Sequence, residues 1–169
     1  IEQEGTYPLP EAQVDRFMMK VVVDYPTKQE EREILKRMAT TSQNNHVACV
    51  MEASSIEGAR KLVDQIYIDD QIANYIVDLV QISRTPEIIS AELAEFVEYG
   101  ASPRATLALT LCAKANAFLD GRGYVTPQDV KDLAYDVLRH RIATTYEAEA
   151  EGKTSDDVIT AILDFVRVP

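Results

Sequence analysis

Pro10-Glu11-Ala12-Gln13-Val14-Asp15-Arg16-Phe17-Met18-Met19-Lys20-Val21-Val22-Val23-Asp24-Tyr25-Pro26-Thr27 contains the change of pattern that sets the fold. Its first four residues suit one helical turn, since proline is tolerated at a helix start and an early glutamate favours the positive end. Just upstream, Gly5 and Pro8 supply turn chemistry. Arg16 follows as an exposed cation where a loop enters residues 17–24, a β-branched run that reads as one strand. A single strand cannot satisfy its own backbone groups, so its sheet neighbours are expected outside this chain. Tyr25-Pro26 breaks the run, and the apolar period then changes from two to the helical value. A boundary near residues 24–27 follows, with a mainly α architecture after it.

Downstream, Thr27 with Glu30 forms a capping box for a helix carrying Ile34, Leu35 and Met38 on one face. Residues 40–46 are polar and read as a loop. Ser54 with Glu57 predicts a second box, with Ile56, Ala59, Leu62 and Val63 inward. After a short extended piece at residues 66–68, Asp69-Asp70 precedes Ile72, Tyr75, Ile76, Leu79 and Val80, spaced as one broad apolar stripe. Thr85-Pro86 starts a helix through Ile89, Leu93, Phe96 and Val97 that Gly100 should stop. Ser102-Pro103-Arg104 then opens a central apolar helix, expected to bury Leu107, Leu111, Cys112, Ala115, Phe118 and Leu119. Asp120-Gly121-Arg122-Gly123 ends it in a tight turn. Thr126-Pro127-Gln128-Asp129 starts the next helix, with Val130, Leu133, Ala134, Val137 and Leu138 inward and Arg139-His140-Arg141 closing it. Residues 146–152 look like an exposed acidic connector, and Thr154 with Asp157 opens a last helix with Ile159, Ile162, Leu163 and Val166 inward.

The chain has 169 residues, 46% of them hydrophobic, enough for one or two modest domains with real cores. No apolar run approaches the roughly 20 residues needed to span a bilayer. The first twenty residues carry no secretory signal, so a soluble cytoplasmic protein is expected. Ile1 is not an initiator methionine, which favours a piece of a longer protein. Cys49 and Cys112 make neither a disulfide framework nor a metal signature. The formal charge of −11 argues against a nucleic-acid surface, which needs clustered Lys and Arg.

Four motifs in order resemble MoxR-type AAA+ ATPases. Residues 4–17 look like the segment after the sensor-1 strand, where a PEAQ-DRF motif carries the arginine finger. Gly100-Ala101-Ser102-Pro103-Arg104-Ala105 looks like the sensor-2 motif of the lid. Gly121-Arg122-Gly123-Tyr124-Val125-Thr126-Pro127-Gln128-Asp129-Val130 and Val137-Leu138-Arg139-His140-Arg141-Ile142 resemble two further lid signatures, and the tail also fits. The resemblance implies residues 1–26 as the end of an α/β P-loop ATPase core, with its last strand and arginine-finger loop. Residues 27–169 would be a helical-bundle AAA+ lid. Arg16 would be the catalytic arginine finger, reaching the γ-phosphate in a neighbouring protomer; Arg104 would bind nucleotide as sensor 2, on its own or a neighbour's ATP. The family further implies ATP and Mg as cofactors of the full-length protein, a hexameric homo-oligomer, a chaperone-like role in maturing partner complexes, and a von Willebrand factor A-domain partner.

Plainer alternatives stand beside these expectations. Arg16 could pair with Asp15 or Glu11 on the surface, worth about 0–1 kcal/mol. Arg104 could be an ordinary exposed arginine, although a cation at a helix start is mildly disfavoured and so invites an anion. The whole chain could be an acidic helical interaction module with no nucleotide role; a DNA-dependent AAA+ motor lid is disfavoured by the charge. His140 reads as a helix-end surface histidine, and Tyr67, Tyr75 and Tyr124 as packing residues with wet hydroxyls. Asp69-Asp70 and Asp156-Asp157 read as helix caps, leaving no metal site. No G-x-x-x-x-G-K-[ST] motif occurs, so the chain alone is expected to bind no Mg-ATP and to lack ATPase activity.

Overall fold

The computed structural model describes residues 9–41 and 47–169. The turn read at Gly5 and Pro8, and residues 42–46 of the polar loop, lie outside them. The chain is mainly helical: α1 Glu11–Val14, α2 Lys28–Met38, α3 Ala53–Gln65, α4 Asp70–Ile82, α5 Ala91–Phe96, α6 Pro103–Leu119, α7 Pro127–Leu138, α8 Tyr146–Ala150 and α9 Ser155–Phe165. Two short strands, β1 Val97–Tyr99 and β2 Ala143–Thr144, pair antiparallel.

The core forms where α6 lies between α4 and α7, with α9 closing against both of the latter. All five stripe residues of α4 are buried: Ile72, Tyr75, Ile76, Leu79 and Val80. Val130, Ala134, Val137 and Leu138 of α7 and Ile159 and Ile162 of α9 meet them, as the apolar spacing predicts. The caps follow chemistry that is legible in the sequence. Thr27/Glu30, Thr126/Asp129 and Thr154/Asp157 are reciprocal boxes, and Asp69 caps α4 through the Gln71 N–H. Gly121, at φ +72°, turns the chain after α6.

On α6 the wrong face was expected inward. Of Leu107, Leu111, Cys112, Ala115, Phe118 and Leu119, only Cys112 is buried, and Leu107, Leu111 and Leu119 are exposed. The buried face is instead Ala105, Ala108, Leu109, Cys112, Ala113 and Ala117. A helix flanked by two others needs small side chains where backbones approach closely, and close packing selects for fit rather than for apolar bulk. Because α6 is apolar on most sides, its period alone does not choose a face.

Other departures have equally local causes. Residues 17–24 form no ladder; Phe17, Met18, Val21, Val22 and Val23 are all exposed, as expected of strand sequence with no neighbouring strand to pair with. The segment is held to the bundle by the Lys20 N–H donating to the Asp136 carbonyl at 2.7 Å and by Met19 packing on the core. Ile34, Leu35 and Met38 of α2 are exposed, not buried. Ile56 and Leu62 of α3 also face outward, while Ala59 and Val63 are half-buried, and Glu52 replaces the expected Ser54 cap without a side-chain bond. The helix expected from Thr85-Pro86 splits into a 3₁₀ turn at Pro86–Ile88 and α5, which Ser90 caps, and Val97 leaves it as strand. Residues 146–152 are not wholly an exposed connector, since they form α8 with Ala148 fully buried. Tyr75 has no wet hydroxyl: its oxygen is buried without a partner among the described residues.

Gly100 does not stop a helix; it permits a close approach that sets the start of α6. A Cβ there would lie 2.1 Å from the Ser83 carbonyl oxygen. Around it, the Ala101 N–H donates to Ser83 Oγ at 3.0 Å, and Arg84 Nε donates to the Ala101 carbonyl at 2.6 Å. Gly100→Ala is therefore expected to cost about 2–3 kcal/mol by overpacking. Urea unfolding checks this, with Gly123→Ala as the control, because a Cβ there enters open space.

Candidate functional site

Three chain segments meet at the carboxylate of Asp15, next to Arg16: the loop after α1, the start of α6 and the end of α7. Ser102 Oγ donates to both Asp15 oxygens, at 3.0 and 2.9 Å, and in turn accepts the Arg104 N–H at 3.2 Å. Arg104 Nη1 reaches Asp15 Oδ2 at 3.3 Å, and Arg141 Nε reaches Oδ1 at 3.1 Å. The α6 N-terminus exposes free N–H groups and the positive end of the helix dipole, so it favours an anion. In this chain Asp15 supplies one. The expected misfit of a cation at that helix start is thus offset from within the chain.

Arg16 is exposed, and its guanidinium has neither an ion pair nor a hydrogen bond among the described residues. The surface pairing that would have explained it away does not form, because Asp15 is committed to Ser102, Arg104 and Arg141. With Leu9, Gln13 and Phe17, Arg16 lines an open cleft of about 320 Å³. A permanently charged, five-donor group left unpaired in an open cleft can meet an anion from another molecule.

The Arg139-His140-Arg141 trio grips the arginine-bearing segment instead of simply ending α7. Arg139 bonds Asp136, Asp156 and the Lys20 carbonyl. His140 is half-buried, not a free surface histidine. Its Nε2 lies 3.0 Å from the Phe17 carbonyl, which can only accept, so Nε2 carries the proton. Nδ1 is buried without a partner among the described residues, and burial holds His140 below its ordinary pKa, against the pull of Phe17. Arg141, 2% exposed in its side chain, bonds the carbonyls of Asp15, Phe17, Met18 and Val137. Burial lowers its pKa, and Asp15 opposes that. Beside this junction, burial and then the Glu11 carboxylate push the Tyr99 phenol up to about 12.

A second polar node fixes the turn between α6 and α7. Asp129 is 2% exposed and accepts from Arg122 at 2.6 and 2.8 Å, Asn116 at 2.8 Å, and the Thr126 N–H and hydroxyl. Burial works against its ionisation, but these hydrogen bonds, Arg122 first, hold it well below the usual carboxylate range.

Sequence reasoning singled out Arg16 and Arg104 and missed Asp15 and Arg141. One signal was available: two arginines and a histidine in a row exceed what a helix end needs as charge complement. Among the described residues no group of three or more His, Cys, Asp or Glu could hold a metal ion, and no helix is long and apolar enough to cross a membrane.

Residues 90–162 match the AAA lid domain family. Along its whole length the chain is 38% identical to Chaperone MoxR1 of Mycobacterium tuberculosis, covering 45% of that protein. It is 36% identical to the uncharacterised YeaC of Bacillus subtilis, covering 50%, and 30% identical to Protein MoxR of Paracoccus denitrificans, covering 53%. A crystal structure of a protein from Cytophaga hutchinsonii assigned as an ATPase superposes with a TM-score of 0.92 at 42% identity, over all of this chain and 52% of that one. The chain spans about half the length of the curated relatives it matches. The whole chain is thus similar to about half of a MoxR-type AAA+ protein, and residues 90–162 carry the AAA lid domain match.

Proposed function

We propose that this chain serves ATP hydrolysis in a full-length MoxR-type ATPase, with Arg16 as a finger acting on a neighbouring protomer's ATP and Arg104 as sensor 2. The observation that carries this is the division of labour around Asp15. Its carboxylate takes Arg104, Ser102 and Arg141, and Arg16 is left exposed with no side-chain partner among the described residues. Charge on the transferred phosphoryl group needs a fixed, multi-donor cation, and an unpaired guanidinium beside a tethered backbone supplies one.

Arg104 stands at a helix start whose dipole and free N–H groups suit a phosphate. Asp15 occupies that position electrostatically in this chain, and a nucleotide phosphate would compete with it for Arg104. The pair is half-exposed, worth at most about 1 kcal/mol, so such an exchange is cheap. ATP and Mg are held by the full-length protein, not by this chain alone, which lacks the phosphate-loop motif.

The same proposal has residues 1–26 as the end of the ATPase core, with residues 17–24 as strand sequence suited to sheet neighbours, and residues 27–169 as the lid. It includes a homo-oligomeric, hexameric ring, a cytoplasmic setting and a chaperone-like role with a von Willebrand factor A-domain partner. The name of the M. tuberculosis relative as a chaperone supports the role. Arg104→Ala in the full-length protein is expected to weaken ATP binding about tenfold, the loss of one charge-assisted contact. Titration with a fluorescent ATP analogue measures it; unchanged affinity together with unchanged turnover would remove Arg104 from the site.

A further inference from the structure

We propose that Arg141 is a positioning residue for Arg16, setting the direction of the finger by pinning the backbone on both sides of it. The inference rests on the assignment of Arg16 as the finger. A guanidinium has five N–H donors, and in Arg141 each has an acceptor. Nε donates to Asp15 Oδ1 at 3.1 Å, Nη1 to the carbonyls of Met18 at 3.2 Å and Val137, and Nη2 to the carbonyls of Asp15 at 3.2 Å and Phe17.

Only Val137 belongs to the helix that Arg141 follows. The other four acceptors lie in residues 15–18. Three of them are carbonyls: that of Asp15 fixes the peptide plane before Arg16, and those of Phe17 and Met18 fix the two planes that follow the Arg16–Phe17 peptide. The Phe17 N–H donating to the Val14 carbonyl at 3.1 Å holds the plane between, so the Arg16 backbone and its Cα–Cβ direction are set from both sides. Arg16 has no side-chain bond among the described residues that could aim it instead. Apolar burial adds little at Arg16 itself: Leu9, Phe17 and Met18 are all half or more exposed, and Met19, three residues on, packs on the core. Polar tethers therefore carry the placement, and Arg141 supplies most of them. A lysine would offer three donors from a single nitrogen, which cannot span acceptors arrayed along four residues.

The test is a double-mutant cycle in the full-length protein. Arg141→Lys should lower kcat for ATP about 10²-fold, the usual consequence of misplacing a reacting group by an ångström, with KM changed less than about twofold. In an Arg16→Ala background the same substitution should cause no further loss, because the residue it positions is gone. Unchanged kcat in Arg141→Lys, or an equal loss with and without Arg16, would overturn the proposal. If Arg141→Lys loses its cooperative melting transition, the cycle is run with His140→Ala, which removes the separate tether to the Phe17 carbonyl. A smaller kcat loss confined to the background that keeps Arg16 is then expected, and no loss or an Arg16-independent loss overturns it. Wild-type turnover in Arg16→Ala would defeat the finger assignment itself. An inactive Arg16→Ala with a fully active Arg141→Lys would defeat the positioning role alone.

Discussion

Arg16→Ala in the full-length protein is expected to cut ATP turnover by about 10³–10⁵-fold, the worth of an arginine finger in other nucleotidases. ATP affinity should stay within about twofold, since a group that acts only on the transition state leaves ground-state binding alone. The expectation follows from where Arg16 stands. Its exposed side chain has no partner among the described residues, so removing it breaks no ion pair there, and the melting temperature should be unchanged. The combination is diagnostic: a large kinetic loss without a stability loss separates a catalytic arginine from a structural one. Single-turnover hydrolysis with parallel thermal melts measures both.

Asp129→Ala should have the largest effect on stability, about 3–5 kcal/mol, because it leaves Arg122 and Asn116 without their shared acceptor at the α6–α7 turn. The Thr126 cap loses its reciprocal bond as well. The pH dependence has a definite sign. The folded-state pKa of Asp129 is depressed, so its stabilisation is fully present above the unfolded value of about 3.9 and is lost as pH falls through the folded one. The stability gap between the native chain and Asp129→Ala should therefore be flat from neutral pH to about 5 and narrow below about 4. Urea unfolding across that range reads it directly.

What could be seen in the sequence was whatever depends on local rules. The Thr27/Glu30 box, the helix starts at Thr126 and Thr154, the α4 stripe and the Gly121 turn are set by residues within one or two turns of each other, and they formed as spaced, whereas the Ser54/Glu57 box did not form. The α6 face was not legible, because which side of an evenly apolar helix is buried depends on neighbours far away in sequence. The exposed faces of α2 and α3 show the converse: an amphipathic pattern states a need for burial but not that the partner lies within the same chain. At the site, Arg16 and Arg104 came from motif resemblance, and their geometry did not. The Asp15–Arg141 contact joins residues 126 positions apart, and nothing local marks Arg141 as buried. Its two neighbours are equally basic or titratable, yet only the fold decides that Arg141 turns inward with five acceptors while Arg139 reaches Asp136 and Asp156.

Trans complementation tests most directly whether Arg16 completes a neighbour's ATP site. Full-length Arg16→Ala copies, with intact nucleotide sites, are mixed with copies whose phosphate-loop lysine is replaced but whose Arg16 is intact. Each population alone should be inactive, and hydrolysis should return when they co-assemble, because one supplies the ATP site and the other the finger. Co-assembled copies that stay inactive, or Arg16→Ala copies that hydrolyse ATP unaided, would contradict it.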